Sequence, residues 1–341
     1  MPSFRSSLHF LQGFSPAKLF LFTLLLRPDF PITHGVSELF AQPINASTRF
    51  CAVYGHPVRH SASPAMQNAG IAALGLNWRY LAFEVHPDDL QSAINGARAM
   101  NFIGLNLTVP HKLLAMEMVD ALDQSACMWG AVNTIRFEAQ DAGGTWQPLG
   151  NLTEVPRRVR SVGFNTDADA IAQSLYEDLG QRLPGAKVLL LGAGGAGRTT
   201  ALKLASEKVS ELFLVNRTRS KAETVAKEIR ERWPEVNVTI GYPEKQIDLV
   251  LNATSLGLKP GDSLPFDEAK FRLQPRTGVF DMIYRPAETE LLKLAKGAGC
   301  RTVNGLGMLL HQGAKALELW TTQPAPLEAM RAALRKNVYV S

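Results

Sequence analysis

The sequence predicts an α/β fold in two domains, and three observations carry that prediction. The chain has 341 residues, 46% hydrophobic and 20% charged, enough apolar material for two cores and too much for general disorder. Short strand-like apolar runs alternate with segments of helical period, the pattern of a largely parallel sheet flanked by helices. The alternation comes in two series, separated at residues 138–161 by a Gly-, Pro- and Arg-rich stretch with no apolar period, which reads as an extended hairpin or surface loop.

The first series opens with a strand at 50–55, a turn and a helix, then a strand at 78–85 and a helix over 88–100. A strand at 104–109, a helix after Pro110 and a returning strand at 131–137 complete it. A helix over 167–179 leads to the second series, with strands at 187–191, 211–216, 236–241, 248–254, 278–284 and near Thr302. Residues 308–320 then place Leu309, Leu310, Leu317 and Trp320 at helical spacing. The domains are therefore set at 49–166 and 167–304. Residues 305–341 are expected to return as helices to the first domain, and 1–48 form an N-terminal extension without a firm fold.

A net charge of +5 and a pI near 9.1 are mildly basic. Outside Arg157, Arg158 and Arg160 the cations are mixed with acids, which argues against a nucleic-acid partner. Cys51, Cys127 and Cys300 lie far apart, so neither a disulfide framework nor a metal site is expected, and a reducing cytoplasm fits. The apolar run at 19–26 is too short to span a bilayer and is closed by Arg27, Pro28 and Asp29, so no membrane partner is expected. It reads as part of a loose extension or a misplaced start, the alternative being a leader's h-region that lacks a small-residue cleavage site. A start at Met66 would delete the serines discussed below.

The second series begins with a strand that runs directly into Gly192-Ala193-Gly194-Gly195-Ala196-Gly197 and then into a helical pattern. In that context G-x-G-x-x-G implies a dinucleotide. The glycines tighten the turn and let backbone N–H groups approach a pyrophosphate at a helix N-terminus. The next strand ends on Asn216-Arg217-Thr218, followed by Arg219 and Lys221, where a carboxylate would grip a ribose 2'-hydroxyl. Cations without an acid suit a 2'-phosphate, so NADP is expected over NAD.

In the first series, His60-Ser61-Ala62-Ser63-Pro64 joins strand to helix. Ser63 is expected at the N-cap, Pro64 at the first helical position and Gly75 at the close. The hydroxyls of Ser61 and Ser63 at a helix N-terminus also make a neutral cradle for a carboxylate. Taken singly, such residues have plain structural accounts: a cap, a turn, a solvated lysine after Pro110.

The run G-x-P-x-x-H-S-x-S-P at 55–64 is followed by N-L-T-V-P-H-K at 106–112, G-A-V-N-T at 130–134 and N-T-D at 165–167. N-A-T-S-L-G at 252–257, D-M-I-Y at 281–284 and G-L-G-M-L at 305–309, ending at Gln312, complete the set. Taken together and in order, these segments resemble the shikimate dehydrogenase family. The resemblance implies a two-domain oxidoreductase that reversibly reduces 3-dehydroshikimate to shikimate with NADPH, in chorismate and aromatic amino acid biosynthesis. It implies that Lys112 is the catalytic lysine and that Asp167 is its partner and a substrate contact. Ser61 and Ser63 would hold the substrate carboxylate, and Thr108, Asn133, Tyr284 and Gln312 would contact the carboxylate or ring hydroxyls. Gly192, Ala193, Gly194, Gly195, Ala196, Asn216, Arg217, Thr218, Lys221, Met282 and Gly305 would surround NADP.

Elementary chemistry agrees with these roles. Hydride arriving at a ketone carbon builds negative charge on oxygen, which an ammonium group stabilises and protonates. In the oxidising direction a neutral Lys112 takes the proton, so oxidation is expected to quicken at alkaline pH. His60 and His111 read as packing or capping residues. Three departures stand out: Ala168 follows N-T-D where the family often has Gly, Gln124 replaces an acid often found there, and 138–161 is long. The alternatives are an NAD-preferring quinate/shikimate dehydrogenase and a non-catalytic sensor of shikimate-pathway acids. The cations after Asn216 argue against the first, and Lys112 with Asp167 against the second. A small molecule is the expected partner of a monomer or homodimer, bound in the cleft between the domains, with Gln312 reaching in from the returning helix.

Overall fold

The computed structural model describes residues 43–141, 143–154 and 157–340, which belong to one compact unit. The expectations for 1–42 lie outside the described residues. The first series forms β1 (Arg49–Gly55), α1 (Ser63–Ala73), β2 (Trp78–Glu84), α2 (Leu90–Ala99), β3 (Gly104–Leu107), the single turn α3 (His111–Leu114), β4 (Ala121–Leu122), α4 (Gln124–Trp129) and β5 (Thr134–Gln140). β6 (Trp146–Pro148) and β7 (Val159–Phe164) come next. Their sheet runs β2-β1-β3-β5-β7-β4, with β6 on β5.

This sheet is mixed, which corrects the expectation of a largely parallel one. β1 runs parallel to β2 and β3, whereas β5 is antiparallel to β3, β6 and β7. The physical reason lies in residues 138–161: antiparallel neighbours need only a hairpin between them, whereas parallel ones need a long crossover. That stretch holds the end of β5, all of β6 and the start of β7. The buried Glu138 carboxylate meets both Arg136 and Arg160. The Arg160 guanidinium also lies 4.1 Å over the Trp146 ring.

After α5 (Asp167–Glu177), the second series forms β8 (Lys187–Leu191), α6 (Gly195–Ser206), β9 (Glu211–Val215), α7 (Arg219–Arg232), β10 (Asn237–Ile240), β11 (Leu249–Asn252), β12 (Gly278–Asp281), α8 (Glu290–Gly297) and β13 (Arg301–Asn304). The strands are all parallel in the order β10-β9-β8-β11-β12-β13. β8 and β11 are covered on both faces and accordingly carry unbroken apolar runs at 188–191 and 249–251. Strand order reverses beside β8, where such sheets open a crevice at their carboxyl ends.

α9 (Leu306–Thr321) and α10 (Leu327–Tyr339) return to the first half. Leu310, Leu317, Trp320, Met330 and Leu334 join its core, and the Trp320 indole N–H donates to the Ile135 carbonyl at 3.0 Å. In the other direction Trp129, at the end of α4, is buried in the core of the second half. No helix among the described residues is long and apolar enough to cross a membrane.

Candidate active site

A cavity of about 260 Å³ lies where the carboxyl ends of β1 and β3 face the loops of the second sheet. Ser61, Ser63, Thr108, Lys112 and Asp167 line it from the first half and the junction; Ala196, Met282, Tyr284, Gly305 and Gln312 line it from the other side. A wider groove of about 880 Å³ shares Thr108, Ala196, Met282 and Tyr284 and continues past Ala253 and Thr254.

On the wall of the smaller cavity the Lys112 ammonium donates to Asp167 Oδ2 at 2.6 Å. Lys112 stands on the one turn of α3, directly after β3, while Asp167 opens α5, where the helix dipole favours a carboxylate. The backbone N–H groups of Asp167 and Ala168 both donate to Asn165 Oδ1, at 3.1 and 3.2 Å. The N-T-D segment is thus a helix cap that also presents its acid to the cavity. Ala168 is fully buried in the second core and keeps the capping bond.

Three expectations are corrected by the geometry. Ser63 is not the N-cap: α1 starts at Ser63 with Ala62 in the cap position and no side-chain cap bond. Proline is tolerated throughout the first turn, so the helix begins one residue early and leaves the Ser63 hydroxyl uncommitted to capping. His60 is exposed at the cavity wall and is not a packing residue. Asn133 does not line the cavity: its side chain, 1% exposed, is turned beneath it, accepting from the Thr166 N–H at 2.8 Å and donating to Thr166 Oγ1 at 2.9 Å. Asn106 lines the wall instead. The signal was present, since a lone amide inside the wholly buried strand β3 requires polar partners.

Two further side chains close the cavity. Gln312 reaches in from α9 and donates to the Leu309 carbonyl at 2.8 Å. Burial pushes the Tyr284 phenol above its ordinary pKa. Beneath the loop carrying Met282 and Tyr284 lies Asp281, fully buried, whose carboxylate accepts from Thr289 Oγ1, Asn252 Nδ2 and the Ile283 N–H at 2.6, 3.0 and 3.0 Å. Burial is the largest influence on this acid and raises its pKa. It ties β11, β12 and the start of α8 together under the cleft.

The glycine turn has the form a dinucleotide requires. Gly192 has φ +106°, and a Cβ on Gly197 would lie 2.2 Å from the Gly192 carbonyl, so neither position accepts a side chain. Cβ positions on Gly194 and Gly195 meet nothing within 4 Å, leaving open space above the N-terminus of α6 for a phosphate. Asn216 shapes the two loops, accepting from the Ala193 N–H at 2.9 Å and donating to the Thr218 carbonyl at 2.8 Å. Arg217, Thr218 and Lys221 are exposed. Arg219 is engaged with Glu223 at 2.9 Å, whereas no described residue pairs with Arg217 or Lys221. This donor set fits a dinucleotide bearing a 2'-phosphate.

Three family models match the chain in order: a shikimate dehydrogenase substrate binding domain at 53–135, shikimate/quinate 5-dehydrogenase at 172–256, and a shikimate 5'-dehydrogenase C-terminal domain at 305–335. The shikimate dehydrogenase (NADP(+)) of Methanopyrus kandleri is 39% identical over 302 residues, covering 86% of this chain and 98% of its own. The chain belongs to the shikimate dehydrogenase family. A crystal structure of a shikimate dehydrogenase in complex with NADP+ superposes with a TM-score of 0.75 at 36% identity, over 87% of this chain and 98% of the other. The fold is shared more widely: the 5-ketofructose reductase of Gluconobacter sp. strain CHM43 gives a TM-score of 0.70 at 31% identity, over 86% of this chain and 99% of its own. Within the shikimate dehydrogenase fold, this chain therefore joins a cavity bearing the hydroxyls of Ser61, Ser63, Thr108 and Tyr284 to a glycine turn across one Lys–Asp pair.

Proposed function

We propose that this chain catalyses the reversible NADPH-dependent reduction of 3-dehydroshikimate to shikimate, a step toward chorismate and the aromatic amino acids. The observation that carries the reading is the 2.6 Å Lys112–Asp167 pair, set in a cavity whose opposite wall is Ala196 and Met282 of the dinucleotide half and Gly305, where the chain leaves it. Residues 49–166 with 305–341 hold the substrate, and 167–304 hold the cofactor.

Ser61 and Ser63 take the substrate carboxylate, which their hydroxyls satisfy without adding charge to the cavity. Thr108, Tyr284 and Gln312 contact the carboxylate or ring hydroxyls, and Asn133 supports that wall from beneath. Glycine-turn N–H groups over 192–196 hold the pyrophosphate, and Asn216 keeps the turn and the adjoining loop in register. Arg217, Thr218 and Lys221 hold the 2'-phosphate, and Met282 and Gly305 flank the nicotinamide. NADPH, when bound, supplies the hydride. Lys112 stabilises the negative charge growing on the ketone oxygen and transfers its proton there; Asp167 orients the ammonium and accepts from a neighbouring ring hydroxyl. In the reverse direction the neutral amine takes the hydroxyl proton. A reducing cytoplasm suits the free thiols of Cys51, Cys127 and Cys300, and the working form is a monomer or homodimer.

The test is a reduced-nicotinamide absorbance assay on the purified chain with shikimate or quinate and NADP+ or NAD+, and with 5-ketofructose and NADPH. Shikimate with NADP+ should be fastest by kcat/KM. Quinate with NAD+ at an equal or higher rate, or preferred turnover of 5-ketofructose, would reassign the substrate. Shikimate binding without turnover in any combination would instead leave a sensor.

A further inference from the structure

Tyr80 is the third residue of β2, wholly buried, and its phenol lies against Asn106 of the cavity wall. The hydroxyl donates to Asn106 Oδ1 at 2.8 Å. The Ser63 hydroxyl also faces it, and burial holds the phenol well above its ordinary pKa, so it stays a neutral donor. The rest of the residue is clamped. Its backbone N–H and carbonyl both bond the Asn68 side chain of α1 at 2.9 Å, and its ring packs 6.1 Å from that of Trp320.

The Asn106 amide is thereby held in one orientation. Its Nδ2 donates to the Asn133 carbonyl at 3.3 Å and to Thr134 Oγ1 at 3.0 Å, which occupies both amide hydrogens. A flipped amide would set oxygen against the Asn133 carbonyl. What Asn106 still offers the cavity is the second lone pair of Oδ1, an acceptor for a hydroxyl group. A phenylalanine would fill the Tyr80 site without the cost of burying a hydroxyl, so the packing alone does not call for tyrosine.

We propose that Tyr80 is a positioning residue for substrate binding: its buried hydroxyl fixes Asn106 so that Oδ1 accepts a hydrogen bond from a ring hydroxyl of the substrate. The proposal rests on the reading of shikimate as substrate. Tyr80 touches no reacting atom and acts through Asn106.

The experiment is a double-mutant cycle on the full chain with Tyr80→Phe, Asn106→Ala and both together. KM for shikimate is read with saturating NADP+, and the shikimate Kd by calorimetry. Tyr80→Phe should raise KM and Kd about 3–10-fold, the effect of one hydrogen bond, with kcat within about 2-fold and KM for NADP+ unchanged. Asn106→Ala should raise both at least as far, and adding Tyr80→Phe to it should change them no further, because the two act as one unit. A purely structural tyrosine would lower Tm and leave KM unmoved, or would add its effect in both backgrounds; either result overturns the proposal. So does wild-type KM in Asn106→Ala, whatever becomes of the tyrosine variant. Wild-type turnover with unaltered variants would defeat the Tyr80 role alone. A wild type that neither binds nor oxidises shikimate would defeat the proposed function and this role with it.

Discussion

One ammonium group carries the proton in the proposed reaction, so Lys112→Ala should cut kcat about 10²–10⁴-fold, as loss of a general acid does, with shikimate KM within a few-fold. A rise in KM alone would show that Lys112 only binds. Arg217 faces solvent with no described ion partner, so Arg217→Asp should raise KM for NADP(H) about 10–100-fold, the loss of a charge-assisted bond. KM for NAD(H) should move little, and equal losses would remove the 2'-phosphate assignment. His111 supplies a pH test. It is fully buried, and burial, aided by the nearby rings of His56 and His86, holds its pKa below the ordinary 6.5, with the Val85 backbone only partly offsetting this. The unfolded chain therefore binds a proton at higher pH than the folded one. The stability this neutral ring contributes is present above pH 6.5 and is lost as pH falls through the lowered value. Urea midpoints from pH 7.5 to pH 5 should fall more steeply for the wild type than for His111→Phe. That Lys112, Asp167 and the serines converge on one cavity was legible because their motifs stand where strands end and helices begin. Asn106 and Asn133 were not separable, since both are motif asparagines and only the pleat of β3 and the turn before β5 decide which one meets the cavity.

Elements were legible where their pattern had one physical cause. β8 and β11 are apolar because both faces are covered, and α9 shows its period because one face packs on the first core. β7 was hidden, because Arg160, Ser161 and Gly163 interrupt the apolar pattern on both of its faces and its charge is satisfied by Glu138 of β5, a partner no local window contains. The end of α4 shows the same dependence on distant partners. Gly130 caps that helix at φ +63°, and a Cβ there would come within 2.9 Å of the Arg198 guanidinium. Gly130→Ala should therefore cost about 1–2 kcal/mol, the left-handed backbone penalty together with displacement of that side chain. Urea denaturation measures it. A loss below about 0.3 kcal/mol would mean that the arginine moves aside freely.

Between the two halves, α4 is the fastening with the most specific chemistry. It lies among strands of the first sheet, yet its last residue, Trp129, packs in the second core. Its final carbonyls, which a helix leaves without partners, are taken by two arginines of the dinucleotide half: Arg198 donates to Trp129 O at 2.6 Å and Arg232 to Met128 O at 2.9 Å. Glu228 holds both guanidinium groups, at 2.7 and 3.0 Å. Arg198 directly follows the glycine turn, and α4 runs straight into the segment 130–134 beneath the substrate cavity, so this one clamp fixes the cofactor turn relative to the substrate wall. These groups are about a quarter exposed, so Glu228→Ala should cost roughly 1–3 kcal/mol of stability, between the surface and buried cases. Because the clamp sets the cleft, KM for shikimate and for NADP+ should rise together, each several-fold, while their ratio stays near that of the wild type. Solution X-ray scattering should show a larger radius of gyration for the variant without ligands and convergence with the wild type when both ligands are bound, because ligands that contact both halves favour the arrangement that brings them together. An unchanged radius and unchanged KM values beside a lowered Tm would reduce the clamp to a source of stability, and would shift the setting of the cleft to α9, where Leu306 and Leu309 pack on one core and Met308 on the other.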